Sequence, residues 1–415
     1  MQRIFSLILV LLLPSTGFAQ TGEARLKAWQ EDLTALTTGL QEKHKNPFTL
    51  VSREVFQQKT AELQQRLPQL QDHEILVEFM KLTALIGDGH TNLSATRQAR
   101  PWGRYPFAPL WMKDGLFIIA APEQHKELLR ARIVGVGKLP INEVEERLGT
   151  LAGHDNEYSR KESVRRWIVV PEVLAGLGII EDMGKMEITV LDRNEQRRTV
   201  TLAPLSPLIR GSFLIDPDPK QEKFPVWRQL QREVYGQEWL AEQKTLYCWY
   251  DTCSNQPNHP VSAWCAEVLQ TLDEKRAERI VLDVRRNGGG NSALIAPLMN
   301  GLAQRETFRR PGSIIVLISR HTFSSAMMNA LHFRQRLKAV LIGSPTGGSP
   351  NHFGEVRSFL LPHCQWNVQY STKLFKLTND GAKTVKPDLD VEWTAKEFFA
   401  GRDPVLEAAL NYKSP

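Results

Sequence analysis

Cysteine is scarce in this chain, and several other signals of specialised function are absent. The 415 residues contain four cysteines, Cys248, Cys253, Cys265 and Cys364, at spacings that match no common zinc motif. The formal net charge is only +6 and the basic residues are scattered, so the composition does not indicate nucleic-acid binding. We find no internal repeat, and no apolar run reaches the ~20 residues that a membrane-spanning helix needs. These absences describe an ordinary globular protein of two or three domains, with no metal or organic cofactor implied.

The first 19 residues have the pattern of a secretory signal peptide. Arg3 precedes an apolar run, Ile4–Leu13, and small residues follow up to Ala19. This pattern predicts cleavage near Ala19 and export, so that the mature protein is periplasmic or secreted. In an oxidising compartment four cysteines can pair in three ways. Cys248 and Cys253 flank a probable turn, and we expect a disulfide between them.

A strand–loop–strand unit carries the strongest chemical signal. The apolar run 280–284 precedes the glycine loop 288–290, and the apolar run 314–318 precedes Ser324 and Ser325. Two β-branched runs joined by a helical pattern predict adjacent parallel strands. The carboxyl ends of such strands share the sheet edge at which α/β proteins place their chemistry. Glycine N–H groups beside a serine hydroxyl indicate acyl transfer, because each donor can stabilise a developing oxyanion by ~3 kcal/mol.

Simpler interpretations of this unit stay open. Ser324 and Ser325 precede a helix-favouring run, residues 326–331, so either can be an ordinary helix N-cap. The loop 288–290 can be a plain tight turn or a phosphate-binding loop. It has neither the lysine-serine ending of a P-loop nor the spacing of a dinucleotide fingerprint, which disfavours a phosphate-binding loop.

A nucleophilic serine needs a general base. The segment Gly87-Asp88-Gly89-His90-Thr91 predicts a histidine on a glycine-flanked turn after a helix. Histidine is the usual base for serine because its pKa lies near neutrality. The other candidates are His321, His352 and His363.

The predicted secondary structure changes along the chain. Apolar residues recur at three- and four-residue steps between residues 22 and 86, which predicts a bundle of three helices. Short strands follow, and a helical stretch at Glu157–Leu177 interrupts them. The strands are expected at Leu116–Ala120, Arg132–Val136, Met186–Leu191 and Thr199–Leu202. We predict a signal peptide (1–19), an N-terminal helical domain (20–100), a β-rich domain with a helical insert (101–205), a linker or excursion (206–244) and an α/β core domain (245–415).

Four ordered motifs resemble one known family, the carboxyl-terminal processing (tail-specific) protease superfamily. Asp283–Gly290 resembles its Asp-Leu-Arg-x-Asn-x-Gly-Gly signature, and Thr322–Ala326 its Ser-x-Ser-x-(Ser/Ala) nucleophile segment. Gly343–Gly348 resembles its Gly-Glu-x-Thr-x-Gly segment, and Val385–Asp388 its Gly-Val-x-Pro-Asp region. The resemblance implies an α/β fold with a ClpP/crotonase-like core that hydrolyses peptide bonds with a serine nucleophile. It also implies that the β-rich segment 101–205 is a diverged PDZ-like domain.

The resemblance assigns roles to individual residues. Ser324 falls on the nucleophile, and Ser325 is the alternative if the register differs by one. The backbone amides of Gly289 or Gly290, together with that of Ser325, would form the oxyanion hole.

One departure from the family pattern changes the expected base. The processing proteases place a catalytic lysine after the segment that Gly343 begins, but the ungapped equivalent here is Ser349. No lysine lies between Lys338 and Lys373, which argues against a serine–lysine dyad. The tricorn-protease and interphotoreceptor retinoid-binding-protein branches also lack that lysine.

Those lysine-lacking branches carry a histidine turn that Gly87–Thr91 resembles. In tricorn-like enzymes the histidine is the general base, and an acid near the C-terminal motif orients it. The resemblance therefore implies His90 as the base, with the acid left open among Asp88, Glu355 and Asp380.

The expected function is that of an exported serine-type peptidase acting on a peptide or protein substrate. Two alternatives stay open: a binding protein of the same fold with little or no turnover, and an esterase or amidase acting on small acyl substrates. The sequence does not predict the oligomeric state.

Overall fold

The computed structural model describes residues 22–96, 102–205, 213–216 and 233–413. The expected signal peptide and most of the segment 206–232 lie outside these ranges. Among the described residues, no helix combines the length and apolar character needed to cross a membrane.

Three helices open the described part of the chain, and helices and strands alternate one by one from β10 to β13. The α-helices are α1 (Gly22–Lys43), α2 (Arg53–Arg66), α3 (Asp72–Ala84), α4 (Ile141–Leu148), α5 (Glu157–Trp167), α6 (Pro171–Gly176), α7 (Val261–Glu274), α8 (Ala296–Ala303), α9 (Ser324–Leu337), α10 (Ala395–Phe399) and α11 (Pro404–Leu410). The β-strands are β1 (Asn92–Ser94), β2 (Ala108–Met112), β3 (Gly115–Ala121), β4 (Arg132–Val136), β5 (Leu139–Pro140), β6 (Met186–Leu191), β7 (Arg197–Leu202), β8 (Leu214–Ile215), β9 (Tyr235–Leu240), β10 (Thr245–Tyr250), β11 (Arg279–Asp283), β12 (Ile314–Ile318), β13 (Val340–Gly343), β14 (Asn351–Leu360), β15 (Asn367–Lys376) and β16 (Leu389–Asp390).

The N-terminal helices form the expected bundle. Apolar residues spaced three or four apart place one stripe of each helix in a shared core, including Leu36 of α1, Phe56 of α2 and Phe79 of α3. The Ser52 hydroxyl caps α2 by accepting a hydrogen bond from the Val55 N–H. The chain leaves α3 through a glycine turn and enters β1, so the turn that carries the candidate base projects from the end of the bundle.

An antiparallel sheet follows the bundle. The strand order is β2-β3-β4-β6-β7, with β5 paired to β4 and β8 paired to β3. The four strands expected between residues 116 and 202 are observed as β3, β4, β6 and β7. Helices α5 and α6 account for most of the helical stretch expected at Glu157–Leu177.

A six-stranded sheet forms the core of the remaining chain, in the order β16-β13-β12-β11-β10-β9. Strands β10 to β13 and β16 run parallel, and β9 pairs antiparallel at one edge. The expected parallel pairing is present, because Ile280 of β11 lies opposite Ile314 of β12. Strand β9 falls inside the segment expected to be a linker or excursion. The glycine loop and the candidate serines therefore follow neighbouring strands at one sheet edge.

A third, smaller sheet connects the segment after the N-terminal helices with a hairpin of the C-terminal part of the chain. The hairpin β14–β15 pairs with β1, and Asn92 lies opposite Gln369. Strand β1 begins two residues after His90, and β14 begins shortly after the segment that follows β13. This pairing attaches the histidine turn to the core although some 230 residues separate it from Ser324.

The four cysteines are unpaired, so the expected disulfide between Cys248 and Cys253 is wrong. Cys248 lies on β10 and is fully buried in the apolar core, close to Cys265. Cys253 lies beyond the strand end, with its Sγ 3.6 Å from the Asn287 Oδ1. Cys253 is buried in the same core, and its Sγ contacts the Asn287 and Asn329 side chains.

A buried ion network holds the start of the glycine loop. The Arg285 guanidinium donates to both carboxylate oxygens of Asp283, at 3.0 and 2.6 Å, and to both of Asp403, each at 2.9 Å. The Tyr247 hydroxyl donates to Asp283 at 2.7 Å. Because Asp403 caps α11, the network joins the end of β11 to the C-terminal helix.

We expect Arg285→Met to lower the free energy of unfolding by about 3–5 kcal/mol, because it leaves two buried carboxylates without their counter-charge. The matched control is Arg286→Met. Its side chain is 44% exposed and lies 3.7 Å from Asp251, so the expected change is below about 1 kcal/mol. Urea unfolding of both variants measures the difference, and equal midpoints would contradict a structural role for the network.

Candidate active site

Ser324 occupies a strained turn at the start of α9. Its φ is +49°, in the left-handed region that residues other than glycine rarely adopt. The preceding Phe323 is extended, so the chain passes from a strand-like residue to a helix across one position. A Cβ added at Gly289 would lie 2.7 Å from the Ser324 Cβ and 3.2 Å from its Oγ. The glycine loop therefore lies directly against the Ser324 hydroxyl, and a side chain at position 289 would collide with it.

Ser325 is placed differently. Its hydroxyl donates a 2.6 Å hydrogen bond to the Gly290 carbonyl, and the residue is buried. This bond uses the hydroxyl to join α9 to the glycine loop. The geometry therefore favours Ser324 over Ser325 as the nucleophile.

The donors expected for the oxyanion hole are not equivalent. The Gly289 N–H donates to the Asn287 Oδ1 at 2.8 Å, so in this arrangement it does not point freely into the site. Gly290 has φ +132°, and a Cβ there would lie 2.4 Å from the Cys253 carbonyl oxygen, so only glycine fits. The N–H groups of Gly290 and Ser325 have no hydrogen-bond acceptor among the described residues. These two amides are the better candidates for stabilising an oxyanion.

His90 lies against the turn that carries Ser324. Its ring packs on the Phe323 ring at 4.6 Å between centroids and stacks on the His352 ring at 5.3 Å. Neither ring nitrogen makes a hydrogen bond to a described residue, so the Ser324 Oγ and His90 are not directly hydrogen-bonded. Burial lowers the pKa of His90 to about 4, against a smaller opposing effect of the Asp88 charge. The imidazole is therefore neutral at physiological pH, the state that a general base requires.

Asp88 fixes the backbone of the histidine turn. Its Oδ1 accepts from the His90 N–H at 2.9 Å, and its Oδ2 accepts from the Thr91 hydroxyl at 2.6 Å. The Ser371 hydroxyl also donates to Oδ2, and the His44 Nε2 lies 3.2 Å from it. Burial alone raises the pKa of Asp88, but these hydrogen bonds outweigh it and the pKa is lowered.

The same carboxylate lies 3.8 Å from the His90 Nδ1. This is longer than a hydrogen bond. Among the three acids left open by the sequence, Asp88 is the one that the structure places beside the histidine.

Glu355 and Asp380 lie in exposed positions. Glu355 is on β14, 3.5 Å from the Lys373 ammonium, with a side chain 59% exposed. Asp380 is in a turn and accepts from the Ala382 N–H at 3.0 Å. Neither carboxylate contacts His90, whose ring nitrogens have no hydrogen-bond partner among the described residues. Both were expected as possible orienting acids, and this structure does not bring either to the histidine.

Asp155 is a carboxylate at the site that sequence reasoning missed. Its Oδ1 accepts from the Gly89 N–H at 3.2 Å, and its Oδ2 accepts from the Ser349 N–H at 3.1 Å. It therefore joins the histidine turn to the segment where the family pattern has lysine. Burial raises the pKa of Asp155 to about 7, and the charge of Asp88 adds to this effect. Its position in the loop before α5 carries no motif that would have identified it.

The other histidines named from the sequence have different surroundings from His90. His352 is buried beside His90, and its Nδ1 lies 2.7 Å from the Ser349 carbonyl oxygen. His321 lies 3.6 Å from Glu162 and is 45% exposed, and His363 pairs with Glu31 of α1. Among these histidines His90 alone packs on Phe323, next to the candidate nucleophile.

Taken together, these contacts place a strained serine, a neutral histidine and unpaired backbone donors at one sheet edge. Such a group can carry out nucleophilic acyl transfer. The segment after β13 supports the turn, because a Cβ added at Gly348 would lie 3.1 Å from the Ser324 backbone nitrogen.

No protein-family model matches this chain, and no curated protein matches it. Solved structures do match. Mature CPAF has a TM-score of 0.64 at 13% identity, covering 93% of this chain and 98% of that one. CPAF complexed with lactacystin has a TM-score of 0.63 at 14% identity, covering 92% and 97%.

The tricorn protease also matches, with a TM-score of 0.41 at 13% identity over 94% of this chain and 36% of that chain. At these identities it is the fold that is shared, and the likeness rests on CPAF. The chain thus has an α/β fold similar to CPAF along nearly its whole length.

Proposed function

We propose that this protein is a serine-type peptidase in which Ser324 is the nucleophile and His90 the general base. His90 takes the hydroxyl proton as Ser324 attacks a substrate carbonyl. The resulting oxyanion is stabilised by the N–H groups of Gly290 and Ser325, and water later hydrolyses the acyl-enzyme. Asp88 holds the histidine turn in place. The observation that carries the proposal is the positive φ of Ser324 against the glycine loop, with His90 packed on the adjacent Phe323.

A binding role is the second candidate, and one observation favours it. Both nitrogens of the His90 ring are buried and make no hydrogen bond within the described part of the chain, so the serine and the histidine are not hydrogen-bonded in this arrangement. Catalytic hydrogen bonds are often long in the free enzyme and tighten with substrate, and a peptidase therefore accommodates the same geometry.

Labelling with a serine-reactive fluorophosphonate separates the two candidates. We expect a single covalent adduct on the native protein, located by mass spectrometry on Ser324 and not on Ser325. Heat-denatured protein serves as the control. Absence of an adduct on the folded protein would favour the binding role, and an adduct on Ser325 would move the nucleophile by one residue.

We also propose that the peptidase acts after export. The support is the apolar N-terminal pattern that ends near Ala19. N-terminal sequencing of the protein recovered from the periplasmic or secreted fraction should begin at Gln20, and an intact Met1 in that fraction would contradict the cleavage.

A further inference from the structure

A cavity of about 390 Å³ adjoins the candidate catalytic residues. Its lining includes Gly89, which precedes His90, as well as Gly288 of the glycine loop and Phe323, which precedes Ser324. The remaining wall comes largely from residues 151–154 and from α5. A group held in this cavity would lie beside the bond that Ser324 attacks.

Positive charge dominates the lining. Among the described residues that line the cavity there are four arginines, Arg104, Arg165, Arg166 and Arg320, and one carboxylate, that of Glu162. That carboxylate is already engaged, because its Oε2 accepts from the Arg165 Nε at 2.9 Å and lies 3.6 Å from the His321 Nδ1. Within the lining, the other arginines therefore have no carboxylate of their own.

Arg104 and Arg166 stand at the exposed part of the lining. Neither guanidinium makes a hydrogen bond or ion pair with a described residue, although Arg166 lies over the Trp167 ring at 4.8 Å. Partial burial lowers the pKa of both, and the charge of Arg165 adds to this effect at Arg104. Among the described residues neither cation gains a counter-charge in return for the water that partial burial removes, and this is unfavourable.

Arg320 lies deeper in the wall. Its side chain is 9% exposed, and one guanidinium nitrogen pairs with Glu392, which is outside this lining. The other terminal nitrogen, Nη1, is buried without a hydrogen-bond partner. A buried guanidinium nitrogen without an acceptor is costly, and an anionic ligand would remove that cost.

We propose that this cavity is a substrate subsite that binds the carboxylate of an acidic side chain near the scissile bond. The inference rests on the proposed peptidase function. Planar guanidinium groups match the two oxygens of a carboxylate, and the two rim arginines can approach a substrate that enters from solvent. A substrate with a neutral amide in place of the carboxylate would leave the positive charge of the arginines uncompensated.

Internally quenched peptides test the subsite with the full-length protein. One arm places Glu, Gln or Lys at each position around the scissile bond in peptides with an amidated C-terminus. The other arm compares free-acid with amidated C-termini in peptides without acidic side chains. We expect kcat/KM to be about tenfold higher for the Glu peptide than for its Gln partner in the first arm. A preference found only in the second arm would show that the carboxylate comes from the C-terminus and would overturn the proposal.

Variants of the rim arginines complete the test. Arg104→Gln/Arg166→Gln should abolish the preference, and Arg166→Glu should shift it toward Lys. Lys161→Gln is the matched control, because Lys161 lies on the same helix, over the Trp111 ring, and is not part of the lining. Urea unfolding of the double variant and of Lys161→Gln checks that both keep their fold.

The outcomes separate the subsite from the proposed function. Absence of labelling in the unmodified protein would count against the proposed peptidase function itself. Labelling together with equal rates for carboxylate and amide peptides would overturn the subsite alone. Labelling with no peptide cleaved would count against both the subsite and the peptidase function. An unchanged preference in Arg104→Gln/Arg166→Gln, matching Lys161→Gln, would also overturn it.

Discussion

Ser324→Ala is expected to reduce peptide hydrolysis about a millionfold, to the level of the background reaction, because removing the nucleophile of a serine enzyme costs as much as removing its whole catalytic group. The variant should keep its fold, because removing one hydroxyl leaves the packing around residue 324 unchanged. Its Oγ lies beside the position that a Gly289 Cβ would occupy. Initial rates with a quenched peptide, together with circular dichroism, measure the two effects separately.

Ser325→Ala is the matched control for this prediction. It removes a hydroxyl from the neighbouring residue, where the oxygen bonds to the Gly290 carbonyl. We expect a loss of about tenfold or less, caused by a less well-held glycine loop. If Ser325→Ala were inactive and Ser324→Ala active, the assignment of the nucleophile would be reversed.

His90→Ala is expected to lower kcat/KM by about 10²–10⁴ at pH 7, the usual contribution of a positioned general base. The effect should appear mainly in kcat, because His90 is buried between Phe323 and His352 and acts on the serine. His352→Gln provides the comparison, since His352 stacks on His90 and bonds to the Ser349 carbonyl. A larger loss in His352→Gln than in His90→Ala would assign the base to His352.

The pH dependence of the unmodified protein gives a second test of His90. Because burial lowers its pKa to about 4, the imidazole stays neutral as the pH falls from 7 to about 5. The rate of serine labelling should therefore persist through the range where an ordinary histidine, with a pKa near 6.5, would become protonated. A midpoint at pH 6–7 for the acid limb would show that the base is in a more solvated environment than the structure has.

Stability should fall with pH in a window where the rate of labelling stays unchanged. Between about pH 6.5 and 4 the unfolded chain binds a proton at His90 while the native protein does not. The contribution of His90 to the free energy of unfolding therefore falls as the pH falls through this range. Urea unfolding of the native protein and of His90→Ala at pH 7 and pH 5 should show a smaller loss in the variant.

The sequence motifs predicted the local structure around one half of the candidate site. The run 280–284, the glycine loop and Ser324 are close in sequence, and parallel pairing of β11 with β12 follows from their β-branched composition. What the pattern could not distinguish was which amides point into the site. That depends on the Asn287 side chain, which takes the Gly289 N–H.

The sequence was less informative about which acid lies beside the histidine. Glu355 and Asp380 were expected from their place in the chain near the C-terminal motif, yet both are exposed. Asp155, which binds the Gly89 and Ser349 amides, was not expected at all. A carboxylate's role here depends on which loop it faces, and that contact spans about 66 residues in one direction and 194 in the other.

The sequence by itself determined the local elements: the helical bundle, the parallel strands, the glycine loop and the serine turn. Each of these follows from periodicity or backbone freedom within a few residues. Only the tertiary structure decided that His90 packs on Phe323, because β1 pairs with β15 and thereby attaches the histidine turn to the core. It also decided the electrostatics of the site. Burial makes His90 a neutral imidazole. Packing between distant segments also brings four arginines and one carboxylate, that of Glu162, to the lining of the adjoining cavity.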